Sequence, residues 1–154
     1  MSALLLAFLI GVIAGLRSLT APAVVSWAAW LGWVPLGGTP LNFLSHPATR
    51  YILTALALGE LVNDKLPKTP SRKAPPSFIA RIVTGAFSGA ALAASKHALL
   101  FGLVAGAIGA VVGTLGGAEI RSRLVKAIGG NDLPIALLED AIAIIGAILI
   151  TSHI

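Results

Sequence analysis

Apolar residues run through this chain in long blocks, and short polar or charged segments break them at only a few places. A helix that crosses a bilayer needs about 20 mostly apolar residues. Five blocks approach that length, over about 3–25, 51–66, 78–94, 98–118 and 134–151. The first is interrupted by Arg17 and Pro22. The second and third are short enough to tilt little or to sit in thinned bilayer. The pattern predicts an all-α membrane protein: a bundle of about five transmembrane helices forming a single transmembrane domain over 1–154. The opening stretch "MSALLLAFLIGVIAGLRS" lacks a basic leader, and the apolar pattern resumes after Arg17. It therefore reads as the first span and not as a signal peptide.

Composition agrees with the pattern. Hydrophobic residues make up 56% of the 154 and charged residues only 11%, against roughly 25% charged in a soluble domain. The mean hydropathy is +0.93, more apolar surface than so short a chain can hide in water. There is no cysteine, which excludes disulfides and thiolate metal sites. His46, His97 and His153 are scattered, so no metal site is predicted. The net charge of +5 comes from cations that form no stripe with interleaved aromatics, so nucleic acid is not an expected partner.

Charge orients the spans. Lys65, Lys68, Arg72, Lys73 and Arg81 lie around the connection between spans two and three, and Arg121, Arg123 and Lys126 follow span four. With five spans, these eight of the eleven cations share one side, which the positive-inside rule makes cytoplasmic. The N-terminus is then cytoplasmic and the C-terminus outside. Trp27, Trp30 and Trp33 recur every three residues near one helical face, which predicts an interfacial belt at the outer side.

Span four carries Gly102, Gly106, Gly109, Gly113 and Gly116 in a heptad-like ladder. Gly11 with Gly15, and Gly85 with Gly89, repeat the spacing on spans one and three. Lipid offers helices no hydrophobic reason to associate, so small residues that let backbones meet drive packing instead. The ladder predicts close packing within the chain or a seam between copies in a homo-oligomer.

The charges inside this apolar chain are the candidate chemistry. Glu60 and Asp64 share a helix face near the inner end of span two. Two acids are poorly placed at a helix C-terminus, so nearby cations must offset them. Glu60 lies five residues before Lys65, about 7 Å deeper. Asp132 and Pro134 suit the start of span five, and Glu139 falls at a similar depth. Asp140 points about 100° away from Glu139, so the two are not expected to face one partner. Glu119 ends span four near the same level. Arg17 lies fourteen residues past Ala3, about 21 Å along span one, in the middle or outer half of the bilayer. A central Arg costs about 2.5–3.5 kcal/mol on insertion scales, and Ser18, Thr20 and Pro22 loosen the helix there. "GLRS" in span one is echoed by "EIRS" at the end of span four, and "LGELVND" by "LLEDAIA". The echoes predict an inverted repeat of spans one and two against four and five, around span three.

Four segments, "GLRSLTAPAVVSWAAWLGW", "ELVNDKLPKTPSR", "RIVTGAFSGAAL" and "LLEDAIA", together resemble the short bacterial members of the "domain of unknown function 4126" membrane-protein family. The pairing of E-x-x-x-D-K-x-P with an early G-L-R-S carries most of the resemblance, which covers nearly the whole chain. "GGAEIRSRL" departs from it, since the resemblance implies an aromatic nearer the Arg. It implies a protein of the bacterial inner membrane and carries no activity, cofactor or site assignment.

Intramembrane charge is costly and needs an offsetting role. The leading reading is a small transporter or channel component in the lipid bilayer, homo-oligomeric, moving a small solute or ion. Glu60 and Glu139 are its proton- or cation-responsive groups, Asp64 supports them, and Arg17 is an anion contact or counter-ion. Asp140, Glu119, Arg81 and Arg121 are supporting candidates. Structural ion pairing that fixes register between spans explains the same residues. The alternative is a protein that binds lipid or isoprenoid, or scaffolds a partner, through the basic segment from Lys65 to Lys73. No nucleophile pair, zinc-ligand helix or phosphate loop is present, so no enzyme and no cofactor is expected.

Overall fold

The structure is a computed structural model that describes residues 2–63, 75–94, 96–130 and 133–154. Asp64, Asp132 and the cations Lys65, Lys68, Arg72 and Lys73 lie outside the described residues. Six α-helices and one 3₁₀ turn (Asn42–Ser45) form the described chain, and it contains no strand: α1 Ala3–Leu16, α2 Thr20–Trp30, α3 Pro47–Asn63, α4 Pro75–Ala94, α5 Leu99–Ala127 and α6 Leu133–Ser152. Over the described residues, α5, α6 and Pro76–Ala94 of α4 are long and apolar enough to cross a membrane, and α1 is a shorter apolar helix.

The first predicted span is two helices. Ser2 caps α1 by accepting from the Leu5 amide at 3.1 Å. The helix then stops at Leu16, because Arg17 is extended (φ −142°, ψ 105°). Pro22 sits in the first turn of α2, where a missing N–H costs nothing. It marks the start of a second helix within the first apolar block. α2 closes on Gly32, whose φ of +84° few other residues adopt. Trp33 therefore lies beyond the helix that carries Trp27 and Trp30.

The chain turns back at residues 17–19. Ser26 donates to the Leu44 carbonyl. Phe43 lies 6.0 Å from Phe87, more than a turn along α4 from the level of Arg81. α2 thus returns beside the bundle, and α3 runs out again with Thr54 bonded to Trp27 and Glu60 bonded to Ser18. Arg17, just past α1, bonds Glu139 and Asp140 of α6, and Ile13 approaches Gly146, so α1 and α6 run antiparallel. The start of α1 and the end of α6 therefore lie at one end of the bundle. We call that the near end, and the end holding residues 17–19 the far end.

α1, α4 and α5 form a hub built on glycine. A Cβ on Gly11 would overlap the backbone of Gly106, and one on Gly106 would overlap the Gly85 carbonyl. Gly109 and Gly113 face Phe8 and Val12 of α1, while Gly102 faces Gly89 and Ala93 of α4. The ladder is consumed within the chain, on two faces of α5 and not one seam. Gly116 takes no part, with open space where its side chain would be. Gly11 meets α5 at Gly106 and Gly15 meets it at Ala110–Thr114, so α1 and α5 run parallel. Inverted repeats about span three would make them antiparallel. The outer faces carry exposed Leu100, Val104, Ile108, Val112, Ile142 and Ile145, a surface compatible with a membrane protein.

Candidate functional site

Breaking a helix exposes polar backbone that apolar surroundings cannot satisfy. At residues 17–19, each cut end meets a side chain of the opposite charge. The Gly15 carbonyl at the end of α1 accepts from Arg81 Nη1 at 2.7 Å and from Thr114 Oγ1 at 3.5 Å. The Leu16 carbonyl accepts from Arg17 Nη1 at 3.1 Å. On the other side of the break, Glu60 reaches across from α3. It accepts from the Ser18 amide at 3.1 Å, the Leu19 amide at 3.0 Å and the Ser18 hydroxyl. The negative pole of α1 thus faces guanidinium groups, and the positive pole of α2 faces a carboxylate, the favourable arrangement at both.

Arg17 is wholly buried, with 0% of its surface exposed. Its Nε donates to Asp140 Oδ1 at 2.6 Å and its Nη1 to Glu139 Oε1 at 2.7 Å. Arg121 Nη1 lies 3.7 Å from the same Glu139 oxygen. The sequence argument that neighbouring acids on a helix cannot share a partner fails here. A guanidinium offers donors in several directions and can straddle two side chains that diverge. Arg17, Arg81 and Arg121 together balance Glu60, Glu139 and Asp140.

The level of this network follows from the helix rise. Arg81 and Glu139 each lie six residues inside the far-end termini of their helices, and Arg121 six residues before the end of α5. That is about 9 Å of helix. The expectation of a charged tier inside the bundle end holds. The sequence places Arg17 in the middle or outer half, apart from the acids; α1 starts from the near end, so the residue that follows it arrives beside them instead.

The predicted residues divide accordingly. Arg17, Glu139, Asp140 and Arg121 form one ion cluster, and Glu60 with Arg81 secures the two helix ends beside it. Glu60 and Glu139 are linked through residues 16–19 and not by facing each other. Asp64 is outside the described residues. Glu119 is not in the cluster; it is 62% exposed and pairs with Arg123 at 2.8 Å. The sequence reading missed Ser18 as a Glu60 partner and Thr114 as a cap. Ser18, Thr20 and Pro22 together carried the signal, since small hydroxyl residues followed by proline mark a helix start. Thr20 Oγ1 is buried with no hydrogen-bond partner among the described residues. No group of three or more His, Cys, Asp or Glu side chains able to hold a metal occurs among them either.

The family model described as "Domain of unknown function (DUF4126)" matches residues 4–153, essentially the entire chain. The chain belongs to the DUF4126 family. Among curated proteins and solved structures, nothing matches it. The broken helix, its two capped ends and the buried Arg17 cluster all fall inside the DUF4126 match. The family description carries no activity, so the function of this DUF4126 protein has to be argued from the geometry of that break.

Proposed function

We propose that this DUF4126 protein is a small membrane transporter or channel component that moves a small solute or ion, with the α1–α2 break as its working site. One observation carries the reading: two helix termini are cut open inside the bundle and held by charged side chains, not by further backbone. Half-helix ends facing charged groups are a recurrent design of secondary transporters. The balanced cluster responds to a proton or cation. Neutralising Glu60 weakens its hold on two backbone N–H groups and the Ser18 hydroxyl, which then compete for whatever polar species enters. Neutralising Glu139 or Asp140 frees a donor edge of Arg17, which becomes an anion contact.

In this reading the protein sits in the bacterial inner membrane, as the DUF4126 resemblance implies. The far end carries the basic residues and is cytoplasmic. Both chain termini then lie outside, in place of the inside-to-outside arrangement that an odd count implies. The function is not enzymatic. A chain of 154 residues is small for a complete carrier, so a homo-oligomer belongs to the proposal, with contacts on surfaces other than the consumed glycine ladder.

The alternative, binding of lipid or isoprenoid or the scaffolding of a partner, draws support from a cleft of about 440 Å³ at the near end, lined by Thr39, Pro40, His97, Leu99 and Phe101. Reconstitution separates the readings. Transport requires pH- or ion-driven flux from liposomes across a solute panel, lost in folded Glu60→Gln and Glu139→Gln proteins. Absence of any flux from the wild-type protein overturns the proposal.

A further inference from the structure

Arg50 lies in the first turn of α3, at the near end, far from the Arg17 cluster. Only 5% of its surface is exposed. Its guanidinium makes no hydrogen bond or ion pair among the described residues, and Nε and Nη1 are buried without a partner. Three aromatic rings surround it instead: Trp30 at 4.2 Å, Trp27 at 4.8 Å and Tyr51 at 5.0 Å from the guanidinium carbon. Trp27 is fixed in turn by an indole bond to Thr54 Oγ1 at 2.7 Å and by edge contacts with Trp30 and Tyr51.

Ring faces stabilise a cation but do not accept from in-plane N–H groups, so the donors of Arg50 remain unmet. The position adds to the positive potential. A cation in the first turn of a helix sits at the positive pole of the dipole, where anions are favoured. The cage is open at its rim: Trp30 and Tyr51 are 53% and 60% exposed. Such rings belong at the level of lipid headgroups.

We infer that Arg50, within the Trp27–Trp30–Tyr51 cage at the start of α3, binds a phosphate-type anion, supplied by the headgroup of a phospholipid. The phosphate oxygens accept from the guanidinium, and the exposed rings of Trp30 and Tyr51 flank the glycerol and upper acyl region. Guanidinium suits this task because its planar donors match phosphate oxygens. This site does not depend on the transport reading, and neither stands or falls with the other.

The test uses the full-length protein in detergent, titrated separately with phosphatidylglycerol and with glycerol phosphate. Native mass spectrometry reads retained lipid, and tryptophan fluorescence reads the cage. The expected result is retention of phosphatidylglycerol by the wild type with a fluorescence change. Affinity falls roughly tenfold or more in Arg50→Gln and less in Arg50→Lys. Tyr51→Leu, at an exposed position, weakens binding while leaving the melting temperature unchanged, and it decides the matter if Arg50→Gln does not fold. Equal competition by glycerol phosphate upholds the anion site but assigns it to a soluble phosphate. Lipid retention identical in wild type, Arg50→Lys and Tyr51→Leu overturns the proposal, as does a wild type that responds to neither probe.

Discussion

Arg17 and Asp140 stand 123 positions apart in the chain, and their side chains meet at 2.6 Å inside the bundle. The bond ties the turn between α1 and α2 to the first half of α6. With the Glu139 contact beside it, one side chain fixes where the reversing chain docks.

Removing Arg17 alone takes the shortest ion contacts from two largely buried carboxylates and leaves Arg121, at 3.7 Å, beside Glu139. Breaking a buried pair in this way costs about 3–5 kcal/mol. Arg17→Met should lower thermal stability in detergent by that order. The triple variant Arg17→Met/Glu139→Gln/Asp140→Asn, which removes both acids with the arginine, should recover much of the loss, less what Arg121 loses with Glu139. Equal instability of the two would mean that packing, not ion pairing, holds the turn.

Glu60 acts on the start of α2 in the manner of a capping residue donated by another helix. Glu60→Gln places an amide NH₂ against backbone N–H donors and removes one acceptor. A cap is worth about 0.5–2 kcal/mol, so the variant should fold with a modestly lowered melting temperature. Its flux in liposomes should fall to background. A variant that transports normally would leave Glu60 a purely structural group.

Two glycines on α5 should respond oppositely to one methyl group. In Gly106→Ala the new carbon collides with the Gly85 carbonyl and must push α4 away from α5. Overpacking of this kind costs about 1–3 kcal/mol. Gly116→Ala meets nothing and should be neutral or stabilising by up to about 1 kcal/mol, through helix propensity. Paired melting curves check the contrast.

Glu119 was a supporting candidate by sequence, yet it makes only an exposed pair with Arg123. Exposed pairs contribute about 0–1 kcal/mol. Glu119→Ala should leave flux unchanged and stability within that range, which makes it the control for the buried acids.

Much of the architecture was legible along the chain. The apolar blocks overlap α3 to α6, although α5 runs on to Ala127 past the expected end at 118, and the glycine spacing marked residues that meet other helices. The acids of α3 and α6 were read at one level, and the structure keeps Glu60 and Glu139 there. What the pattern could not resolve was the first block. Hydropathy integrates over a window, and a reversal made from Arg17, Ser18 and Leu19 barely lowers it. From that one reading came the expectation that the first and fourth spans run in opposite directions, where α1 and α5 run parallel. The shared use of Arg17 by Glu139 and Asp140 was hidden for another reason. Angular arguments place Cβ atoms, whereas a long side chain and a planar head decide who can bond.

The glycine hub has a consequence for how such a chain can change over generations. Most cores tolerate drift by exchanging one bulky residue for another of similar volume. Here the three central backbones touch where there is no side chain to exchange, so the first step away from glycine is already a collision. The outward faces of α5 and α6 can vary freely among apolar residues, while the centre is fixed by what it lacks.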